Sequence, residues 1–452
     1  MEDTIAAIST AQGVGAISII RVSGTLAIKI VNKIFKGKNL ENVKSHTIHY
    51  GKIIDKNLEI DEVLISVMKS PKTFTTEDVV EINCHGGIMT TKKVLELLIV
   101  NGCRLAEPGE FTKRAYLNGR IDLTEAEGVM DLIEAKTEVQ RRLAMNQVSG
   151  KVSNMIKDIR NNILAPIISN IEVNIDYPEY EDIEVVTTKM IKEKISNLEE
   201  KIKEILKQSE SGRIIKEGIK TTIIGKPNVG KSSLLNNLLE EDKAIVTDIE
   251  GTTRDIVEGV ISIDGILLNI IDTAGIRKTD NIVEKIGVNK SIDLIDNSDL
   301  ILFVLNNNEK ITEDELKLYE KIKNKNYIVI INKIDLENKI DLSIFDQNKI
   351  VKMSNLNNIG LDNLKEKIKE IFNLEKIEQS DLTYLSNARS LAILKNTLKE
   401  IKELKKGLEE NKPISIIEID IKNIWNLLGE INGDTYEDEL VDYLFSHFCL
   451  GK

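Results

Sequence analysis

Residues Lys220 to Glu240, KTTIIGKPNVGKSSLLNNLLE, constrain the fold more tightly than any other stretch of the chain. A run of β-branched residues enters a short segment holding Gly225, Gly230 and Lys231. An apolar helical spacing (Leu234, Leu235, Leu238, Leu239) leaves it. A strand that feeds a helix through so short a loop demands a βα unit, and hence a mostly parallel sheet with helices on its faces. The loop fits the pattern G-x-x-x-x-G-K-[ST]. In that setting backbone amides wrap phosphates and the helix N-terminus adds positive dipole. Lys231 would reach the β and γ phosphates, with the Ser232 hydroxyl on Mg²⁺.

The next 150 residues supply the companions of such a loop. From Lys220 to about Asn373 strand-like runs (KTTIIG, GVISID, ILLNIID, LILFVLN, YIVIIN, KIVKMS) alternate with helical patterns. About six strands, mostly parallel and covered on both faces, are expected. Asp264-Gly265 links two of them as a tight hairpin. Asp272 to Gly275 (DTAG) ends one strand, where Asp272 can hold Mg²⁺ through water and the Gly275 amide can meet a γ-phosphate. NKID, Asn332 to Asp335, ends another. A carboxylate there accepts both the N1 and N2 hydrogens of guanine, a donor pair that adenine lacks. GTTRD (Gly251 to Asp255) lies where a mobile switch belongs, and Met353-Ser354 lies where a backbone contact to the base is expected. Five elements in this order specify GTP binding.

Composition narrows the remainder. At 452 residues the chain has room for about three domains. A net charge of -12 argues against broad, sequence-independent nucleic-acid binding, and 4% aromatic residues advertise no stacking platform. The start, MEDTIAAIST, has neither a basic segment nor a long apolar run, so no leader and no membrane association are expected, and the compartment expected is cytoplasmic. Three cysteines (Cys84, Cys103, Cys449), none in a Cys-x-x-Cys pair, suggest neither a disulfide framework nor a zinc site.

Organisation follows from texture. Residues 1–119 alternate strands (GAISIIRVSG, SHTIHYGKII, EVLISVMKS, DVVEINCHGG) with helices (GTLAIKIVNKIF, GIMTTKKVLELLIV), an α+β unit. LTEAEGVMDLIEAK then opens with Thr124 and Glu127 spaced as a capping box, and helical pattern persists to about residue 211. The acidic DYPEYEDIE interrupts it and reads as a solvated connector rather than a metal site. Helical pattern returns after the α/β segment. The expected domains are 1–119, a helical domain in two parts (120–217 and 377–452), and an α/β P-loop domain, 218–376, inserted into it.

With those residues in view, the chain resembles the tRNA modification GTPase family MnmE (also called TrmE) over essentially its whole length. The resemblance rests on ISIIRVSG, EDVVEINCHGG, AEPGEFTKRAYLNGRIDLTEAE, GTTRDIVE and the final CLGK. It implies a multidomain α/β and α protein: an N-terminal α+β folate-type domain that also dimerises, a helical domain, and an inserted Ras-like α/β P-loop GTPase domain. It implies a cytoplasmic homodimer. With the flavoprotein MnmG (GidA), in a heterotetramer-type complex, the family adds an aminomethyl or carboxymethylaminomethyl group at C5 of the tRNA wobble uridine, position 34. FAD is expected on that partner and not here. A tetrahydrofolate derivative, 5-formyl- or methylene-tetrahydrofolate, is expected on Arg21, Glu81, Arg120 and Lys452. Taken alone, Arg21 reads as a surface charge at a strand end, and Gly86-Gly87 as a strand-to-helix turn. The family makes Cys449 a candidate thiol; a buried structural cysteine fits that residue as well. His85 in NCHGG gains no role from the pattern.

The resemblance completes the nucleotide set. GTP-binding positions are Asn228, Val229, Gly230, Lys231, Ser232, Ser233, Thr247, Thr252, Thr253, Asp272, Thr273, Ala274, Gly275, Asn332, Lys333, Asp335 and Ser354. Mg²⁺ is assigned to Ser232 and Thr253. Ile276 follows DTAG where Ras-like proteins carry a water-orienting glutamine, and it cannot take that role. The family assigns water orientation to Glu284, which alone would read as an ordinary first-turn helix carboxylate. It assigns K⁺ to Asn228, Thr247, Ile249 (through its main-chain oxygen) and Thr252. An asparagine in the P-loop offers a neutral oxygen beside the phosphates, and a cation there takes the electrostatic part of an arginine finger. Two functions compete: a tRNA-modifying GTPase whose nucleotide cycle drives rearrangement in a larger enzyme, and a ribosome-assembly GTPase acting as a binding switch. The N-terminal motifs and CLGK favour the first.

Overall fold

The computed structural model describes residues 3–176, 188–241, 259–272, 295–374, 381–434, 438–448 and 451. The chain divides into two compact units: Met1–Met130 with Gln147–Leu198 and Asn396–Lys452, and Asp131–Asn146 with Glu199–Lys395.

The first unit begins with strands β1 (Ile5–Ile8), β2 (Ile17–Ser23), β3 (Phe35–Lys36), β4 (Thr47–Asp55), β5 (Leu58–Met68), β6 (Val79–His85) and β7 (Arg104–Leu105). They form a seven-stranded sheet in the order β3-β4-β5-β6-β2-β1-β7, antiparallel except where β1 meets β7. Helices α1 (Ala27–Ile34) and α2 (Ile88–Val100) supply apolar residues to a core that includes Ile20, Val22, Ile65, Val80 and Ile82. Period-two alternation sends those residues to one face of the sheet. Their neighbours Arg21, Glu81 and Asn83 go to the other face, in facing pairs Arg21–Glu81 and Ile19–Asn83. The short β1, β3 and β7 were not legible as strands; pairings of four or two residues carry too little periodicity to read.

Helix α3 (Glu110–Leu117) follows, then α4 (Leu123–Glu134), α5 (Glu138–Val148), α6 (Lys151–Ile159), a five-residue π turn at Arg160–Leu164, α7 (Ala165–Asp176) and α8 (Thr188–Glu217). The capping box expected at Thr124 and Glu127 is two residues out of place. Asp122 and Glu125 form it, the Asp122 amide donating to Glu125 Oε2 at 2.7 Å and the Glu125 amide to Asp122 Oδ1 at 3.1 Å. Thr124 is buried inside the helix, its hydroxyl donating to the Ile431 carbonyl at 3.0 Å. Helix also continues past residue 211 to Glu217, because Ile215 is buried and extends the apolar face by a further turn.

The second unit holds β8 (Ile219–Ile224), α9 (Lys231–Glu241), β9 (Gly259–Ile263), β10 (Ile266–Asp272), β11 (Leu300–Asn306), α10 (Glu313–Ile322), β12 (Tyr327–Asn332), β13 (Ile350–Lys352) and α11 (Leu361–Phe372). Its six strands take the order β13-β12-β11-β8-β10-β9, all parallel except β9. Asp264 (φ 48°) and Gly265 (φ 79°) form the β9–β10 turn with both central residues left-handed, as a tight hairpin needs. Leu300, Leu302 and Val304 enter one core cluster, Ile301, Phe303 and Leu305 another, so both faces of the sheet are covered.

Helices α12 (Ala388–Glu409), α13 (Ile414–Asn432) and α14 (Asp438–Ser446) complete the described chain. Within the first unit α13 packs on α6 and α7, as expected for the returning helical segment. Arg160, in the π turn, stacks over the Trp425 ring at 4.5 Å and pairs with Asp434. Among the described residues no helix is long and apolar enough to cross a membrane.

Candidate functional sites: the P-loop and the N-terminal sheet

The loop from β8 to α9 is fixed by what surrounds it. Gly225 (φ 147°) leaves the strand so close to β11 that a Cβ would lie 2.3 Å from the Val304 carbonyl oxygen. Val229 buries its side chain in the core, anchoring the loop from below. Asn228 has φ 63°, a left-handed conformation that asparagine adopts more readily than most residues, and its side chain is exposed. Lys231 Nζ donates to the carbonyls of Gly225 and Lys226 at 2.8 and 2.7 Å. Ser232 and Ser233 are exposed in the first turn of α9, beside that ammonium. Lys226 pairs with the buried Glu315 of α10 at 2.9 Å, tying the loop's base to a neighbouring helix.

The segments expected from the sequence to read the base converge on the same loop. Asn332, buried at the end of β12, donates from Nδ2 to the Val229 carbonyl at 2.8 Å. The Gly230 backbone passes so close that a Cβ there would meet this nitrogen at 2.1 Å, and its φ of 100° also favours glycine. Lys333 takes φ 63°, turning the chain so that Asp335 stands exposed. The Ser354 hydroxyl donates to Asp335 Oδ1 at 2.5 Å. Met353 is bonded through its amide to the Ile331 carbonyl and through its carbonyl to the Ile334 amide. Asn228, Val229, Gly230, Lys231, Ser232, Ser233, Asn332, Lys333, Asp335 and Ser354 thus lie at or just beyond the C-terminal ends of parallel strands, the place where ligands bind in open α/β sheets.

Asp272 ends β10. Thr247, Ile249, Thr252, Thr253, Thr273, Ala274, Gly275, Ile276 and Glu284 lie outside the described residues. Sequence reading missed Asn355 and Asn237. Asn355 donates from Nδ2 to the Gly230 carbonyl at 3.2 Å, and its amide donates to Asn332 Oδ1 at 3.2 Å. Asn237 of α9 donates to the Asn355 carbonyl at 2.9 Å. The only signal was a run of polar residues after Ser354, which reads as an ordinary loop.

A second constellation sits on the other face of the N-terminal sheet, where Phe111 of α3 packs on Ile5 and Ala7. Arg21 lies in mid-strand on β2, not at a strand end, opposite Glu81 of β6. Its Nε and Nη2 both reach Glu81 Oε1 at 2.9 Å, and its guanidinium lies over Phe111 at 5.6 Å. The Gly451 carbonyl accepts from Ser9 Oγ at 3.0 Å and, more distantly, from Arg21 Nη1 at 3.5 Å. Arg120 stacks on Phe74 at 5.3 Å and donates to the Thr73 carbonyl. Phe74 packs against the small cluster that holds Phe111, so the two guanidinium groups border one apolar cluster. Ser9 was another residue not foreseen. Lys452 and Cys449 lie outside the described residues.

Beside this site a buried ion network fixes α3. Arg114, with a side chain 1% exposed, bonds Asp3, Glu77 and Glu110. Burial alone would raise the Glu110 carboxyl; hydrogen bonds from Arg104, the Glu107 amide and Arg114 outweigh it and hold the group below its ordinary value. Burial pushes the Cys84 thiol up to about 11 and Cys103 to about 12, so neither is poised as a nucleophile. His85 is exposed and pairs with Asp61 at 2.6 Å; that hydrogen bond raises its pKa.

Comparison with known proteins adds an independent line. Residues 4–120 match the family model described as GTP-binding protein TrmE N-terminus, and residues 123–449 match the MnmE helical domain. The tRNA modification GTPase MnmE of Ligilactobacillus salivarius is 51% identical over 457 residues, covering 100% of this chain and 98% of that protein. That of Bacillus subtilis is 50% identical over 459 residues, covering 100% of both. Among solved structures, the G domain of the T. maritima FeoB iron transporter is 31% identical over 34% of this chain and 97% of its own, with a TM-score of 0.26.

Proposed function

The chain belongs to the MnmE tRNA modification GTPase family, and from that premise we propose that it is the GTP-hydrolysing component of the complex that modifies the tRNA wobble uridine at position 34. It works with a flavoprotein partner, MnmG, which carries the FAD, and adds an aminomethyl or carboxymethylaminomethyl group at C5. The single observation that carries the nucleotide part is the joining of Asn332 to the Val229 carbonyl, which sets the guanine-reading loop against the P-loop.

In this reading residues 218–376 act as the GTPase domain. Ser232, exposed beside Lys231, suits a Mg²⁺ ligand with Thr253. Bound there, Mg²⁺ supplies charge neutralisation between the phosphates. Lys231 exchanges two carbonyl partners for phosphate oxygens, a stronger and charge-assisted contact. Asn228 presents an uncharged oxygen for K⁺, with Thr247, Ile249 and Thr252 completing the set, and Glu284 orients the attacking water. Asp335, steadied by Ser354, reads guanine.

The N-terminal sheet holds a reduced folate as one-carbon source, with Arg21, Glu81, Arg120 and Lys452 around it. The fit lies in the donor chemistry: two guanidinium groups, each stacked on an aromatic ring, suit an anionic ligand. Cys449 is the candidate thiol of that site. The protein acts as a cytoplasmic homodimer through its N-terminal domains. The N-terminal family match and the end-to-end relatives favour this reading over a ribosome-assembly switch.

Nucleoside analysis of tRNA from cells lacking the protein tests the proposal. Loss of C5-aminomethyl-type uridines from position 34 is expected; an unchanged nucleoside spectrum would overturn it.

A further inference from the structure

We propose that Asn355 is a positioning residue for the phosphate-binding backbone, a part that the GTPase motifs do not assign to it. The inference rests on the nucleotide reading above. A trans peptide is planar, with its C=O and N–H directed oppositely, so holding the carbonyl aims the amide that shares its plane. Asn332 Nδ2 holds the Val229 carbonyl at 2.8 Å and thereby aims the Gly230 N–H away from the base loop. Asn355 Nδ2 holds the Gly230 carbonyl at 3.2 Å and thereby aims the Lys231 N–H the same way. Two consecutive amides of the P-loop are oriented by two asparagines of the base-reading loops.

Three further observations bear on Asn355. Its own amide donates to Asn332 Oδ1 at 3.2 Å, so the two side chains are coupled and not independent. Its carbonyl accepts from Asn237 of α9 at 2.9 Å, which fixes the loop to the helix that follows the P-loop. Among the described residues its buried Oδ1 has no hydrogen-bond partner. A buried acceptor left unsatisfied is unfavourable, so the amide's place in the structure derives from its donor end. Gly230 responds to the same pair: a Cβ would meet Asn332 Nδ2 at 2.1 Å and Asn355 Nδ2 at 3.4 Å. Both amides crowd the one residue whose flanking peptides they orient.

The role is separable from base recognition because it acts on the phosphate arm. In the full-length protein, Asn355→Ala should weaken GDP about tenfold, read by displacement of a fluorescent GDP. Competition by guanosine, which has no phosphates, should stay at the wild-type value. Should the alanine variant fail to fold, Asn355→Ser replaces it, since its hydroxyl is too short to reach the Gly230 carbonyl, and the same split is expected. Unchanged GDP affinity would overturn the proposal. So would equal losses for GDP and guanosine, which would make Asn355 a support of the base loop only. Failure of the wild type itself to bind GDP would sink the nucleotide reading first, and is distinguished by its occurring without any substitution.

Discussion

The Ser354 hydroxyl donates to Asp335 Oδ1 at 2.5 Å, using one lone pair of that oxygen and leaving acceptor capacity on both oxygens of an exposed side chain for a ligand. A carboxylate so oriented accepts from a base that offers two adjacent N–H groups. Asp335→Asn should therefore shift preference from guanine toward xanthine, because the amide can donate to the 2-oxo group. Loss of hydrogen bonds to a charged acceptor should weaken GTP on the order of 10²-fold. Competition between GTP and xanthosine triphosphate checks it; unchanged GTP affinity with no gain for xanthosine triphosphate would remove Asp335 from base recognition.

Arg114 offers a test of what holds the N-terminal unit together. It is the shared partner of Asp3, Glu77 and Glu110 in a buried network. Arg114→Ala takes the guanidinium partner from Glu77, leaves Asp3 and Glu110 to Arg104 alone, and should destabilise the unit by about 3–5 kcal/mol. The pH dependence has a definite sign. The carboxyls of Glu110 and Asp3 lie below their ordinary values of 4.5 and 3.8 when folded, despite burial that opposes it. Their contribution is therefore present above those ordinary values and is lost as pH falls through the depressed ones. Calorimetry of wild type and variant should show the penalty at pH 7 shrinking toward pH 3. A constant gap across that range would mean that the network's charges do not matter.

Arg21 meets Glu81 through two nitrogens but reaches the Gly451 carbonyl only at 3.5 Å, so one edge of its guanidinium is loosely held. That edge is the part an anionic ligand would take. Arg21→Ala should weaken 5-formyltetrahydrofolate at least tenfold in calorimetric titration of the full-length protein. Equal affinity in both proteins would make Arg21 a partner of Glu81 and nothing more.

The long, patterned elements were legible in the sequence for physical reasons that the short ones lack. LILFVLN and YIVIIN are buried on both faces, and an uninterrupted apolar run is the signature of a central parallel strand. Asp264-Gly265 needed two left-handed residues, and those two residue types supply them. The capping box failed because Thr124 finds a tertiary partner, the Ile431 carbonyl, about three hundred residues away in sequence. Local spacing cannot see such a partner, and Asp122 with Glu125 met the local requirement equally well. Asn355 was missed for the same reason: its bond to Gly230 crosses between loops that only the fold brings together. Arg21 is the opposite case. Its side chain lies on the opposite sheet face because Ile20 and Val22 must face the larger core, an alternation the sequence contains.

Ile276 still leaves the attacking water without an orienting side chain at the position where Ras-like proteins have one. Ile276, Glu284 and three of the proposed K⁺ positions lie outside the described residues, and the fourth, Asn228, is exposed with φ 63°. If Glu284 orients the water and K⁺ supplies positive charge through Asn228, hydrolysis needs both and nucleotide binding needs neither. Thr247, Ile249 and Thr252 share the segment that contains GTTRD, so a cation bound there would also fix that segment beside the phosphates. K⁺ should then stimulate turnover by an amount comparable to an arginine finger, on the order of 10³ or more. Na⁺ is smaller and should substitute poorly. A cation held between that segment and the phosphates should also let two GTPase domains meet in a transition-state analogue; Asn228→Ala should bind GTP but lose the stimulation, and Glu284→Ala should keep this K⁺-dependent pairing while hydrolysing poorly. Stopped-flow GTP turnover in K⁺ and in Na⁺, on wild type and both variants, separates these effects. Equal turnover in the two salts would exclude the cation, and a fully active Glu284→Ala would require a different residue to orient the water.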